Sequence, residues 1–201
     1  MIGRLRGGMA VVLVIGSLQA APAVAAKVVL PRPGQVGIEL QGGYGMLLNS
    51  GTQGGVFDQG PAIGARLRYR MRYERAIGLS FEKQRFEIRQ PEAEYQGGAG
   101  RQHLDVVLSG LEFAKMFGTR TPSVKMILVG VGLSQTSGRF VNGEGFFPGD
   151  GSYLSAGFGV ERFFYKSWAL DFSTRYSLVF IPDDRLHSVQ AALGLMFYAS
   201  Y

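Results

Sequence analysis

From residue 35 onward the chain alternates apolar and polar positions with a period of two, the repeat of a strand whose faces meet different surroundings. Val36, Ile38, Leu40, Gly42, Tyr44 and Met46 share one face of a first strand, against Gln35, Gly37, Glu39, Gln41, Gly43 and Gly45. A second sets Ile63, Ala65, Leu67, Tyr69 and Met71 against Gly64, Arg66, Arg68 and Arg70. A third, Arg75 to Glu87, sets Ile77, Leu79 and Phe81 against Gly78, Ser80, Glu82 and Gln84. The fourth, His103 to Phe117, is mixed: Leu104, Val106 and Leu108 lie on one parity, Leu111 and Phe113 on the other. If all five face the same way, a bulge is expected near Ser109-Gly110. The fifth, Val124 to Gln135, opposes Ile127, Val129, Val131 and Leu133 to Met126, Leu128, Gly130 and Gly132. The sixth opposes Leu154, Ala156, Phe158 and Val160 to Ser155, Gly157, Gly159 and Glu161. The seventh opposes Trp168, Leu170, Phe172 and Tyr176 to Ala169, Asp171, Ser173 and Arg175, and the eighth Leu193, Leu195, Phe197 and Tyr201 to Ala192, Gly194 and Met196. Eight strands are predicted, and no stretch after residue 26 holds the ~18 consecutive apolar residues of a membrane-crossing helix.

Alternation alone does not separate a membrane barrel from a soluble lipocalin-like carrier, because the two are inside-out versions of one pattern. The polar face is rich in Gly, Ser and Ala with a few large charged residues, as a narrow eight-stranded interior requires. Aromatic residues on the apolar face lie toward the strand ends, as rings at two membrane interfaces would. Connection lengths agree. Apart from Ile181-Pro-Asp-Asp-Arg185, which breaks the trend by being short, short pieces at residues 72–74, 118–123 and 165–167 alternate with longer ones at residues 47–61, 88–102 and 136–151. This is the asymmetry of short periplasmic turns and long outer loops. The expected fold is all-β: an eight-stranded antiparallel up-and-down transmembrane β-barrel over residues 35–201, with a lead-in at 27–34 and no periplasmic domain after it.

The N-terminal 26 residues read as a leader. Arg4 and Arg6 precede the apolar run Met9 to Leu18, and Ala20-Ala-Pro-Ala-Val-Ala-Ala26 supplies small residues for cleavage after Ala25 or Ala26. Without it the 21 basic residues become 19 against 15 acidic ones, a mild net charge of +4 without a Lys/Arg run. Nucleic acid is therefore not expected as a partner. Cysteine is absent, which excludes disulfides and thiolate chemistry. About 175 residues remain for one domain.

With strands, connections and leader in place, the chain resembles the small eight-stranded outer-membrane barrels, the superfamily of the OmpA transmembrane domain and the OmpX-like proteins. The resemblance covers Gln35 to Tyr201, and its most specific element is Gly194-Leu-Met-Phe197-Tyr-Ala-Ser-Tyr201. This is similar to the superfamily's terminal signal of glycine, alternate apolar residues and a final aromatic, although Ala199 stands where a larger apolar residue is usual. The resemblance implies Gly194, Phe197 and Tyr201 as an assembly signal, read by the barrel-assembly machinery and periplasmic chaperones. It also implies a bacterial outer-membrane location among lipids and lipopolysaccharide. A monomer is expected.

Chemistry is sparse. Glu39, Arg66, Arg68, Arg70, Glu82, Glu161, Asp171 and Arg175 all fall on the polar face, where unpaired charge would be costly, so an interior ion-pair network is expected. A narrow ion path gated by those pairs is the functional alternative. His187-Ser188 invites comparison with barrel enzymes that deacylate lipid A, but adjacent strand residues point to opposite faces, and the asparagine that follows the pair in that enzyme family is missing. His187 and His103 are read as interfacial histidines. The segment Gly138 to Gly151 lacks the regular oxygen spacing of a calcium loop and any Lys-Ser/Thr pair that would make it a phosphate cradle. It is read as a surface for lipopolysaccharide, matrix or another cell. No catalytic residue, metal or cofactor is expected. The expected role is structural, or one of surface interaction.

Overall fold

A computed structural model of the chain describes residues 30, 32–48, 59–87, 103–139, 146–182 and 184–199. The leader, the long connections at 49–58, 88–102 and 140–145, and Tyr201 lie outside the described residues.

Eight strands follow in order: β1 (Val36–Leu48), β2 (Gln59–Arg72), β3 (Arg75–Glu87), β4 (His103–Phe117), β5 (Ser123–Arg139), β6 (Phe146–Tyr165), β7 (Trp168–Ile181) and β8 (Asp184–Tyr198). Each pairs antiparallel with the next, and β1 pairs with β8 from Gly37↔Tyr198 to Leu48↔His187, so the sheet closes into a barrel without free edges.

Two expectations need correction. The bulge at Ser109-Gly110 does not exist: β4 runs in unbroken register with β3 from Arg75↔Lys115 to Glu87↔His103, and with β5 along its whole length. Leu104, Val106 and Leu108 instead point into the barrel and are buried, while Leu111 and Phe113 point out. The alternation misled because the interior is itself apolar at that end. The connection expected over 136–151 is also mostly strand, since the β5–β6 ladder continues through Thr136↔Gly149 to Gly138↔Phe146. The Thr136 hydroxyl donates to the Gly149 carbonyl at 3.0 Å and accepts from the Gly149 N–H at 3.2 Å, replacing ladder bonds where the register shifts.

Three tight turns share one rim, while the short β7–β8 connection, closed by the Ile181↔Asp184 pair, lies at the other. Tyr73-Glu74 joins β2 to β3, and Lys166-Ser167 joins β6 to β7 with Lys166 at φ 43°. Between β4 and β5, Gly118 takes φ 70° and its carbonyl accepts from both the N–H and the hydroxyl of Thr121, at 2.9 and 2.8 Å. The lead-in is tied to the same rim: the Gly34 N–H donates to the Arg70 carbonyl at 2.7 Å, and Leu30 packs against the interior.

The outer surface is apolar. Leu40 and Leu133 are each 69% exposed, Ile63 64% and Phe158 61%, positions a water-soluble barrel would fill with polar groups. Tyr69, Tyr73, Phe117, Phe164 and Tyr165 ring the tight-turn rim, with the Trp168 and Phe197 rings 4.8 Å apart beside them. Tyr44, Tyr176 and Phe180 lie toward the other rim. This is a lipid-facing band with aromatic girdles, the reverse of a lipocalin-like carrier.

Candidate functional site

Period two on β2 sends Leu67 and Tyr69 outward and so aims Arg66, Arg68 and Arg70 inward, all three buried. Acids reach them from across the barrel. Arg68 lies at the centre, with Nη1 2.5 Å from Glu161 and 3.7 Å from Asp171, and Nη2 3.6 Å from Glu112 and 3.8 Å from Glu39. Arg66 donates to Glu39 at 3.3 Å and to the Ser173 hydroxyl at 3.1 Å, and stands 3.7 Å from both Asp171 and Glu112. Arg70 donates to Glu161 at 2.7 Å and lies 4.8 Å from the centre of the Tyr198 ring, whose hydroxyl donates to Glu161 at 2.6 Å. Arg175 pairs with Glu112. Six strands therefore contribute to one ionic belt.

Of the predicted lumen charges, Glu39, Arg66, Arg68, Arg70, Glu161, Asp171 and Arg175 come together in this belt. Glu82 does not. It is buried one layer away among carboxamides: Gln41 donates to it at 3.3 Å, Gln84 donates to it, and the Gln190 carboxamide lies 3.1 Å from that of Gln84. Two members were missed from sequence. Glu112 occupies the polar parity of the strand whose faces looked mixed, and Tyr198 is an inward aromatic within the terminal motif. Its neighbours Met196 and Gly194, on the same parity, were the available signal.

Apolar layers cover both ends of the polar section. Toward the tight turns lie Ala76, Ala114, Met116, Val124, Met126, Leu128, Phe163, Ala169 and Met196; toward the other rim lie Leu47, Phe86, Leu104, Val106, Leu108, Tyr153, Val179 and Leu186. The Tyr153 hydroxyl reaches across to Ser80 at 3.3 Å over the directly paired Gly110 and Gly132. A Cβ on Gly132 would sit 2.2 Å from the Ser109 carbonyl oxygen, 2.5 Å from the Gly110 Cα and 2.8 Å from the Tyr153 ring. Gly132→Val is expected to cost about 1–3 kcal/mol by overpacking, read as a lower urea midpoint of the barrel refolded in micelles, with Val131→Ala on the lipid face as the control.

The other candidates are dispersed. His187 faces outward, its Nδ1 hydrogen-bonded to the Tyr176 hydroxyl, while Ser188 is buried on the opposite face, so the two form no nucleophile–base pair. His103 lies at the long-connection rim with Nε2 3.9 Å from Asp105. Gly194 packs inside against Glu39 and Phe197 faces out against Trp168.

No family model matches the chain, and no curated protein matches it. Solved structures do. Neisserial surface protein A superposes with a TM-score of 0.56 at 12% identity, over 81% of this chain and 96% of that one. Ail, the attachment invasion locus protein of Yersinia pestis, solved with the heparin analogue sucrose octasulfate, superposes with a TM-score of 0.52 at 13% identity, over 82% and 99%. The chain has the fold of the small eight-stranded outer-membrane barrels. At these identities the likeness establishes fold alone.

Proposed function

We propose that the chain is an integral outer-membrane protein, exported by its cleaved leader, whose barrel is a filled, non-catalytic anchor for the connections at its open rim. One observation carries this reading. The interior is occupied from end to end by side chains, a fully buried ionic belt lying between two apolar layers. An ion entering it would have to displace both apolar layers and break the ion pairs of the belt. The role that remains is structural, or one of surface interaction through residues 49–58, 88–102 and 140–145, with attachment, as in the name of Ail, among the available kinds. Lipopolysaccharide around the barrel, and the assembly machinery and chaperones acting through Gly194, Phe197 and Tyr201, are the partners this reading implies, with the barrel as a monomer.

Membrane fractionation should place the protein in the outer fraction with a boiling-dependent mobility shift. In planar bilayers, wild type and Arg68→Ala are expected to stay silent. Discrete single-channel steps in wild type would replace the anchor reading with that of a narrow channel.

A further inference from the structure

The tight-turn rim is basic. Arg72, Arg75, Lys115, Lys125, Arg162 and Lys166 are all exposed there, and Glu74 is the one acid on that rim among the described residues. Five of these cations form an arc across β2 to β6. Arg72 and Arg75 are cross-strand partners, and so are Arg75 and Lys115. Lys125 is diagonal to Lys115 through the Lys115↔Ile127 pair, and Arg162 diagonal to Lys125 through Lys125↔Val160. Like charges directly opposite on a sheet destabilise it, so the arrangement calls for counter-charge outside the protein. Glu74 supplies one unit: Lys115 donates to it at 2.5 Å and holds its carboxyl below the usual range.

The cations stand where the apolar band ends, and two lie over girdle rings, Lys115 5.8 Å from the centre of Phe117 and Lys166 5.2 Å from that of Tyr165. Long basic side chains at that depth reach the headgroup layer while their stems stay in the apolar zone. The opposite rim differs. There Asp105 holds Arg85 through two hydrogen bonds at 2.7 and 2.9 Å and Lys83 at 3.1 Å, and among the described residues the acids Glu87, Asp105 and Asp150 stand against the cations Lys83, Arg85 and Arg185.

We infer that the arc from Arg72 to Arg162 is a binding surface for the phosphates of anionic phospholipids in the leaflet at the tight-turn rim. This rests on the membrane-barrel reading, under which that leaflet is the periplasmic one. The surface is one-sided: β7, β8 and β1 place Trp168, Leu170, Phe197 and Ile38 at the corresponding outward positions. Anionic lipid therefore collects along β2 to β6 and not around the whole circumference.

The test uses the full chain, processed as in the cell, refolded into phosphatidylcholine vesicles carrying trace spin-labelled phosphatidylglycerol or spin-labelled phosphatidylcholine. Wild type is expected to hold phosphatidylglycerol at its perimeter about fivefold more strongly than phosphatidylcholine, the order of one headgroup contact with a basic side chain. The preference should fall toward parity in Arg75→Gln/Lys115→Gln/Lys125→Gln/Arg162→Gln, and in wild type at high salt. Should the quadruple variant not refold, Lys125→Gln/Arg162→Gln is expected to lose part of the preference with the mobility shift intact. Parity in the inserted wild type overturns the inference, leaving an acidic periplasmic macromolecule as the counter-charge. A preference that survives the variants overturns it as well. Failure of wild type to insert at all removes the membrane reading and the inference with it.

Discussion

Replacing Arg68 with methionine is expected to destabilise the barrel by about 3–5 kcal/mol, the cost of leaving buried charge without its partner. Arg68 is buried and faces Glu161, Asp171, Glu112 and Glu39 together. Methionine keeps the volume and removes the charge, so four carboxylates are left to share Arg66, Arg70 and Arg175. The measurement is urea unfolding of the protein in micelles, followed by the loss of the unboiled gel mobility. A paired substitution separates charge from packing: Arg68→Met/Glu161→Gln should recover part of the loss, because one of the stranded acids is then neutral. Glu82→Gln should cost much less than Arg68→Met, since Glu82 is held by amides instead of guanidinium groups. Equal losses at Arg68 and Glu82 would mean that the belt is not the dominant polar interaction of the lumen.

An arginine on the lipid face should cost nearly as much. Val131 lies within the outward run Ile127, Val129, Val131 and Leu133 of β5 and is 52% exposed. In bilayers, Val131→Arg is expected to lose about 2–4 kcal/mol, the penalty for a cation near the midplane. Val131→Leu should be close to neutral. The same arginine on a water-facing surface would change stability by only a few tenths of a kcal/mol, so a small effect would place the outer face in water and invert the assignment of the two faces.

Strand number, order and closure were legible in the sequence because a barrel presents the same two environments along every strand, and period two registers that contrast directly. The lumen arginines were legible for the same reason, since Leu67 and Tyr69 separate them. Legibility stopped where the inside ceases to be polar. Leu104, Val106 and Leu108 carry an apolar signature on the interior face, and no pattern in β4 alone distinguishes an inward apolar plug from an outward band with a bulge. Only pairing with β3 and β5 decides it. Glu112 went unassigned with that strand, and Glu82 was grouped with the arginines because parity gives the face but not the height along the barrel. Tyr198 was hidden in a terminal motif, directly beside the outward-facing Phe197.

Closure also has a kinetic side. The β1–β8 seam joins residues 36–48 to residues near the end of the chain, and the belt spans comparable distances: Arg68 and Glu161 are 93 residues apart, Arg66 and Ser173 107. The seam and the contacts to β6 and β7 are closed to a partly assembled sheet, in which Arg66 has Glu39 on neighbouring β1 but Arg68 and Arg70 still lack Glu161. Non-local pairing of this kind folds slowly. The last strand to arrive therefore completes the hydrogen-bonded ring as the acids of β6 and β7 swing into reach of β2, and seam and belt should form, and be lost, in one step.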